Sequence, residues 1–98
     1  MFIIEKIKSA TNGRLSVEFE FGKRYATLQE ANQECIRTLQ WYNEHSKKLN
    51  KTVGEYLVIV DSHYNYCNSW YLFNGEVDWI RANDLNEVQW FAYSMANA

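Results

Sequence analysis

At 98 residues, 47% hydrophobic and 22% charged, the chain suits one compact α+β domain (residues 1–98) with a real core, and leaves no room for a second. A formal charge of −2 with basic residues spread along the chain leaves no visible footprint for nucleic acid, and no acidity sufficient to mimic a phosphate backbone. Two cysteines make no disulfide framework, and with no signal peptide and no apolar run of membrane-spanning length a cytoplasmic setting is expected.

Residues 2–9 read as a strand, followed by Asn12-Gly13 and then residues 15–21, where Leu15, Val17, Phe19 and Phe21 alternate with Ser16, Glu18 and Glu20. This is a hairpin. A three-residue loop with Gly13 in the left-handed region pairs Ile7 with Val17, Ile3 with Phe21 and Lys6 with Glu18, and leaves Glu5 facing Phe19 as a mismatch. Residues 22–26 then carry the chain to a long helix over 27–50. Its start is set by the capping box of Thr27 and Glu30. Leu28, Ala31, Cys35, Leu39, Tyr42 and Leu49, flanked by Ile36, recur at helical spacing and form its buried stripe. Lys47, Lys48 and Lys51 crowd its carbonyl end. Trp41 falls off the stripe at about 100° per residue, which points a large ring away from the sheet, one turn from Arg37 and within stacking reach of its guanidinium.

Residues 55–60 contain Tyr-Leu-Val-Ile-Val without polar alternation, as expected of a central strand. A polar and aromatic connection over 61–68 leads to a second hairpin, 69–73 and 76–80 about Asn74-Gly75. A two-residue turn there pairs Leu72 with Val77 and Trp70 with Trp79, against Tyr71 with Asp78 and Phe73 with Glu76. Asp84 and Glu87 repeat the capping logic ahead of a short helix striped by Leu85, Val88, Phe91, Ala92 and Met95. The expected architecture is ββαβββα, an antiparallel sheet of four to five strands with one long central helix and a short C-terminal helix, both on one face.

Two clusters carry possible chemistry. Asp61, Ser62, His63, Tyr64, Tyr66 and Cys67 gather an acid, an imidazole, phenols and a thiol in the 61–68 loop. Their spacing demands no catalytic pairing, and no phosphate-cradling glycines or second acid complete a site, so the structural reading is preferred to a small enzyme. Cys35, His45, Cys67 and His63 are ligand types without metal spacing. Cys35 is expected as a small hydrophobe and His45 as a half-buried imidazole bonded to the sheet, so neither metal nor cofactor is expected.

Aromatic residues are the stronger signal: four Trp, seven Tyr and five Phe make 16% of the chain, more than a core of this size hides. Arg37, Trp41 and Glu44 on the outer helix face, His63, Tyr64 and Tyr66 in the loop, and Tyr71 and Phe73 on the back of the second hairpin are the expected partner-binding residues. Trp90 and Tyr93 lie off the last helix's stripe and join them as surface candidates. Tyr and Trp anchor protein interfaces because they bury much area for little lost rotamer entropy. The expected function is therefore a non-enzymatic domain that binds another protein by recognising or occluding its surface. Small domains free of proline and rich in Asn, Lys, Ile and Tyr resemble in composition the inhibitor and host-takeover proteins of phages and mobile elements. Two other readings stand beside it. A homo-oligomeric accessory subunit would bury the same rings against its own copy. A single-stranded nucleic-acid binder would use Lys6, Lys8, Lys23 and Arg24 around the first hairpin, where Glu5, Glu18 and Glu20 oppose it.

Overall fold

Alternation sets the first strands. The computed structural model describes residues 1–9, 15–18, 24–45 and 54–96. Strand β1 (Phe2–Ser9) runs antiparallel to β2 (Leu15–Glu18) with Ile7 opposite Val17 and Lys6 opposite Glu18, the register expected of the first hairpin. The Asn12-Gly13 turn, Phe19 and Phe21 lie outside the described residues. Ile3, however, faces Arg24 and not Phe21, in a two-residue strand β3 (Arg24–Tyr25) that shares this edge of β1. The pairing register shifts by three residues between β2 and β3. That shift brings Tyr25 opposite Phe2 and into the core.

Helix α1 (Leu28–His45) opens as expected: the Thr27 hydroxyl accepts from the Glu30 amide at 3.1 Å. Ala31, Cys35 and Leu39 are fully buried, with Leu28 and Tyr42 packed at the margin. The expected continuation over 46–50, with Leu49 and the lysines, lies outside the described residues. Strand β4 (Glu55–Asp61) then enters the sheet on the far side of β1, with β5 (Tyr66–Phe73) and β6 (Glu76–Trp79) beyond it. The path is β2-β1-β4-β5-β6 with every pairing antiparallel, and β3 stands beside β2 on β1. Helix α2 (Leu85–Ala96) closes the order ββαβββα, read with β3 as part of the first hairpin.

The two helices lie on opposite faces, which corrects the expectation of a shared face. Successive side chains of a strand alternate between faces, and β4 divides accordingly. Tyr56, Val58 and Val60 join Ile3, Ile7 and Ile80 under Val88 and Ala92 of α2. Leu57 and Ile59 join Ile4 and Leu72 under Ala31, Cys35 and Leu39 of α1. A strand apolar at five successive positions, Tyr56 to Val60, needs both faces covered, each fully buried aliphatic side chain contributing about 1.5–3 kcal/mol of burial. One helix on each side meets that need.

The second hairpin has the expected register throughout, from Phe73 opposite Glu76 to Trp70 opposite Trp79. Its turn needs positive φ at both central residues, and Asn74 (53°) and Gly75 (80°) supply it. The strand before it begins earlier than expected, so Tyr66, Cys67 and Asn68 belong to β5 and not to a loop. Ile59 pairs with Asn68 but Val60 pairs with Tyr66, so Cys67 is the extra residue of a β-bulge.

Candidate functional site

The 61–68 segment builds a turn. One Asp61 carboxylate oxygen accepts the backbone N–H groups of His63 (2.8 Å) and Asn65 (2.9 Å), and the other accepts the Asn65 side-chain amide (3.2 Å). These bonds, the Asn65 amide first, hold the Asp61 carboxyl below its ordinary range. The backbone closes on itself as Asp61 donates to the Asn65 carbonyl and Tyr64 to the Asp61 carbonyl, each at 3.0 Å, with Tyr64 at φ 62°. Asp61 therefore holds His63 by its backbone, not its imidazole. The Cys67 thiol donates to the Asn65 carbonyl at 3.4 Å, and burial, then the Asp61 charge, push its pKa upward. A nucleophilic thiol needs the opposite shift.

The bulge also settles Tyr66. The extra residue reverses the alternation, so Tyr66 turns onto the α2 face, where its hydroxyl meets the Ser69 hydroxyl at 2.7 Å, and Cys67 turns toward α1. Tyr71 is likewise engaged beneath α2, with its ring 5.0 Å from that of Phe91. Tyr66, Tyr71 and Phe73 are half-buried, so the surface placement expected of them is corrected; His63 and Tyr64 are exposed at this turn, together with Ser62 and Asn65.

On α1, Arg37 and Trp41 do not pair. Arg37 forms an ion pair with Glu34 at 3.0 Å, and the ring stacked on Trp41 is that of His45, 4.3 Å away. The His45 Nδ1 lies 2.9 Å from the Trp41 carbonyl and the side chain is exposed, a correction to the half-buried imidazole expected. Trp41 is 54% exposed, and Glu44 beside it is exposed too. Tyr42 meets Trp41 edge-on, and Lys6 sits 4.8 Å from the Tyr42 ring while pairing with Glu55 at 2.9 Å. The aromatic group thus leans toward β1.

The expected residues do not form one patch. Asn32 of α1 bonds to Asn68 and Trp70, and Asn43 bonds to the Gly75 carbonyl, so α1 spans the sheet from the start of β5 to the second turn. The Tyr64 turn and the Trp41 group therefore sit at opposite ends, roughly 20 Å apart at the rise of an extended strand.

A third group lies outside the expected partner-binding residues. Trp70 and Trp79 face each other on the α1 side of the hairpin, and Asn32 Oδ1 accepts from both the Trp70 indole N–H (2.9 Å) and the Asn68 amide (2.8 Å). Asn68 Oδ1 in turn accepts from the Trp79 indole N–H at 2.6 Å. Trp79, on the outermost strand, stays 47% exposed with the Arg81 guanidinium 5.7 Å from its ring. The pairing of the two tryptophans was legible; the edge position that exposes one was not.

A fourth group is on α2. Trp90 is 69% exposed and meets Tyr93, itself exposed, edge-on at 6.0 Å, as their distance from the stripe implied.

The ligand-type residues are dispersed: Cys35 lies inside the α1 core with its thiol pushed up to about 12, chiefly by burial, and His45 and His63 lie at opposite ends of the domain. Among the described residues no three His, Cys, Asp or Glu side chains converge as a metal site, and no helix is long and apolar enough to cross a membrane. No family model, curated protein or solved structure matches the chain.

Proposed function

We propose that the protein is a non-enzymatic recognition domain that binds another protein and works by occupying its surface, in the manner of a small inhibitor. One observation carries this reading: three of the four tryptophans, Trp41, Trp79 and Trp90, are about half exposed or more, and each is held by a neighbour. An indole left in water forgoes burial worth kilocalories, and an indole already fixed loses little further rotamer freedom when a partner covers it. Interface hot spots are enriched in such residues. The self-satisfied Asp61 turn and the raised Cys67 thiol supply no activated nucleophile, which supports a binding role over chemistry in that segment.

Affinity capture from the source cell, with nuclease treatment, tests the proposal. Wild type should retain a protein, and the triple variant Trp41→Ala, Trp79→Ala, Trp90→Ala should lose it. Retention of nothing, or of nucleic acid alone, sinks the reading. A dimer that masks the indoles by light scattering would replace it with self-association.

A further inference from the structure

Charge distinguishes one of the exposed aromatic groups from the rest. Nine of the ten lysines and arginines precede residue 54, whereas six of the twelve acids follow it. Arg81 is the exception, and it turns to the α1 face over Trp79. Among the described residues the β5–β6 side of the α2 face carries carboxylates, and Arg24, paired with Ile3, shares that face only at the far edge of the sheet. Glu76 and Asp78 alternate onto it beside Tyr71, whose phenol their charges raise after burial has done so. Asp84 and Glu87 stand at the first turn of α2 and act on Tyr66 in the same sense. Above them Trp90 lies about 180° around the helix from the buried Val88 and Ala92, with Tyr93 edge-on to it.

We propose that the outer face of α2, with β6 beside it, docks a basic, arginine-bearing segment of a partner protein. This rests on the protein-recognition reading above and adds the site and the partner's chemistry. Indole and phenol faces attract cations, guanidinium above all, and carboxylates at their margin pair with the same group. A phosphate backbone is repelled by this face, and an apolar partner would desolvate its carboxylates without supplying a counter-charge. Complementary charge sets encounter rate and orientation while the indole supplies the buried anchor.

The full chain, labelled with 15N, is titrated with a synthetic twelve-residue peptide alternating arginine and glycine, and with the same peptide carrying glutamate for arginine. Saturable shifts are expected for the Trp90 indole and for the amides of residues 76–79 and 84–93 with the arginine peptide only. Trp90→Ala should weaken binding at least tenfold with an unchanged circular dichroism spectrum, and the double variant Glu76→Gln, Asp78→Asn should weaken it and flatten its salt dependence. No saturable shift, shifts centred on Glu30, Glu34 and Glu44 of α1, or undiminished binding by Trp90→Ala each overturns the proposal. So do concentration-dependent shifts of α2 without peptide, which assign the face to a second copy. Capture of a protein lost on Trp41→Ala or Trp79→Ala but not on Trp90→Ala defeats this inference and leaves protein recognition standing.

Discussion

Asn32→Ala tests how the edge of the sheet is held. The Asn32 side-chain oxygen accepts two bonds, from the Trp70 indole at 2.9 Å and from the Asn68 amide at 2.8 Å, and Asn68 passes the constraint to Trp79 at 2.6 Å. Both donors are partly withdrawn from water, so each lost bond should cost about 1 kcal/mol and the pair about 2 kcal/mol. For a domain of this size that is a fall in melting temperature of about 10 °C. Asn32→Asp keeps the oxygen geometry, and its carboxylate accepts the same two donors, so it should stay within about 0.5 kcal/mol of wild type. Urea unfolding followed by far-ultraviolet circular dichroism gives both numbers, and near-ultraviolet dichroism reports whether the indoles remain in a fixed environment. If alanine costs less than about 0.5 kcal/mol, or aspartate costs as much as alanine, the oxygen is not what fixes the two tryptophans.

Further consequences follow from titrating and reactive groups. Glu5 is only 6% exposed on the α2 face, and burial raises its pKa; the folded state therefore holds its proton more tightly than the unfolded chain. Stability should fall as pH rises from the ordinary glutamate range through the raised folded value, and Glu5→Gln should be flat across that window and more stable than wild type at pH 7. An unchanged pH profile of urea midpoints in the variant would refute this. Asp61 acts in the opposite sense: its lowered pKa gives stability that is lost as pH falls below about 4 through the folded value, a loss that Asp61→Ala should not show. Cys35, fully buried and pushed up to about 12, should resist a thiol reagent at pH 8 until the chain unfolds, and Cys67 should react more slowly than a free thiol. Mass spectrometry of the labelled native protein checks the order, and labelling of Cys35 before Cys67 would contradict it.

Much of the fold was legible because local chemistry agreed with the global solution. The Asn74-Gly75 turn dictates the second hairpin's register, and the Thr27 and Asp84 caps mark both helix starts. Glu87 reaches past the cap to the Asn83 amide at 2.8 Å, a variation that spacing alone does not distinguish. The division of β4 between two cores was written in its unbroken apolar run, yet a pattern requires two covers without saying what supplies them. The bulge at Cys67 was not legible, because one inserted residue reverses the facing of its neighbours without changing composition. Tyr66 passed from surface candidate to α2 contact for that reason alone. The exposure of Trp41, Trp90 and Tyr93 followed from helical rotation, while that of Trp79 depended on β6 having no neighbour beyond it among the described residues. The charge division between the halves was present in the sequence throughout, and it corrects the reading of the basic residues as spread along the chain, since nine of the ten precede residue 54.

The arrangement of the indoles constrains how a partner engages. Trp41 leans toward β1 on the outer side of α1, Trp79 lies at the opposite sheet edge under the other flank of α1, and Trp90 stands on α2 across the sheet. A flat partner surface of ordinary size, near 800 Å² a side, does not reach both helices of a two-faced sheet at once. Either one group is the anchor and the others are accessory, or the partner wraps the domain edge. Single tryptophan variants separate these cases: one anchor concentrates the loss of affinity in one variant, whereas a wrapping partner spreads it over groups far enough apart for their effects to add. The acidic surroundings of Trp90, against the mixed charges about Trp41, make the α2 group the one whose contribution should weaken with added salt.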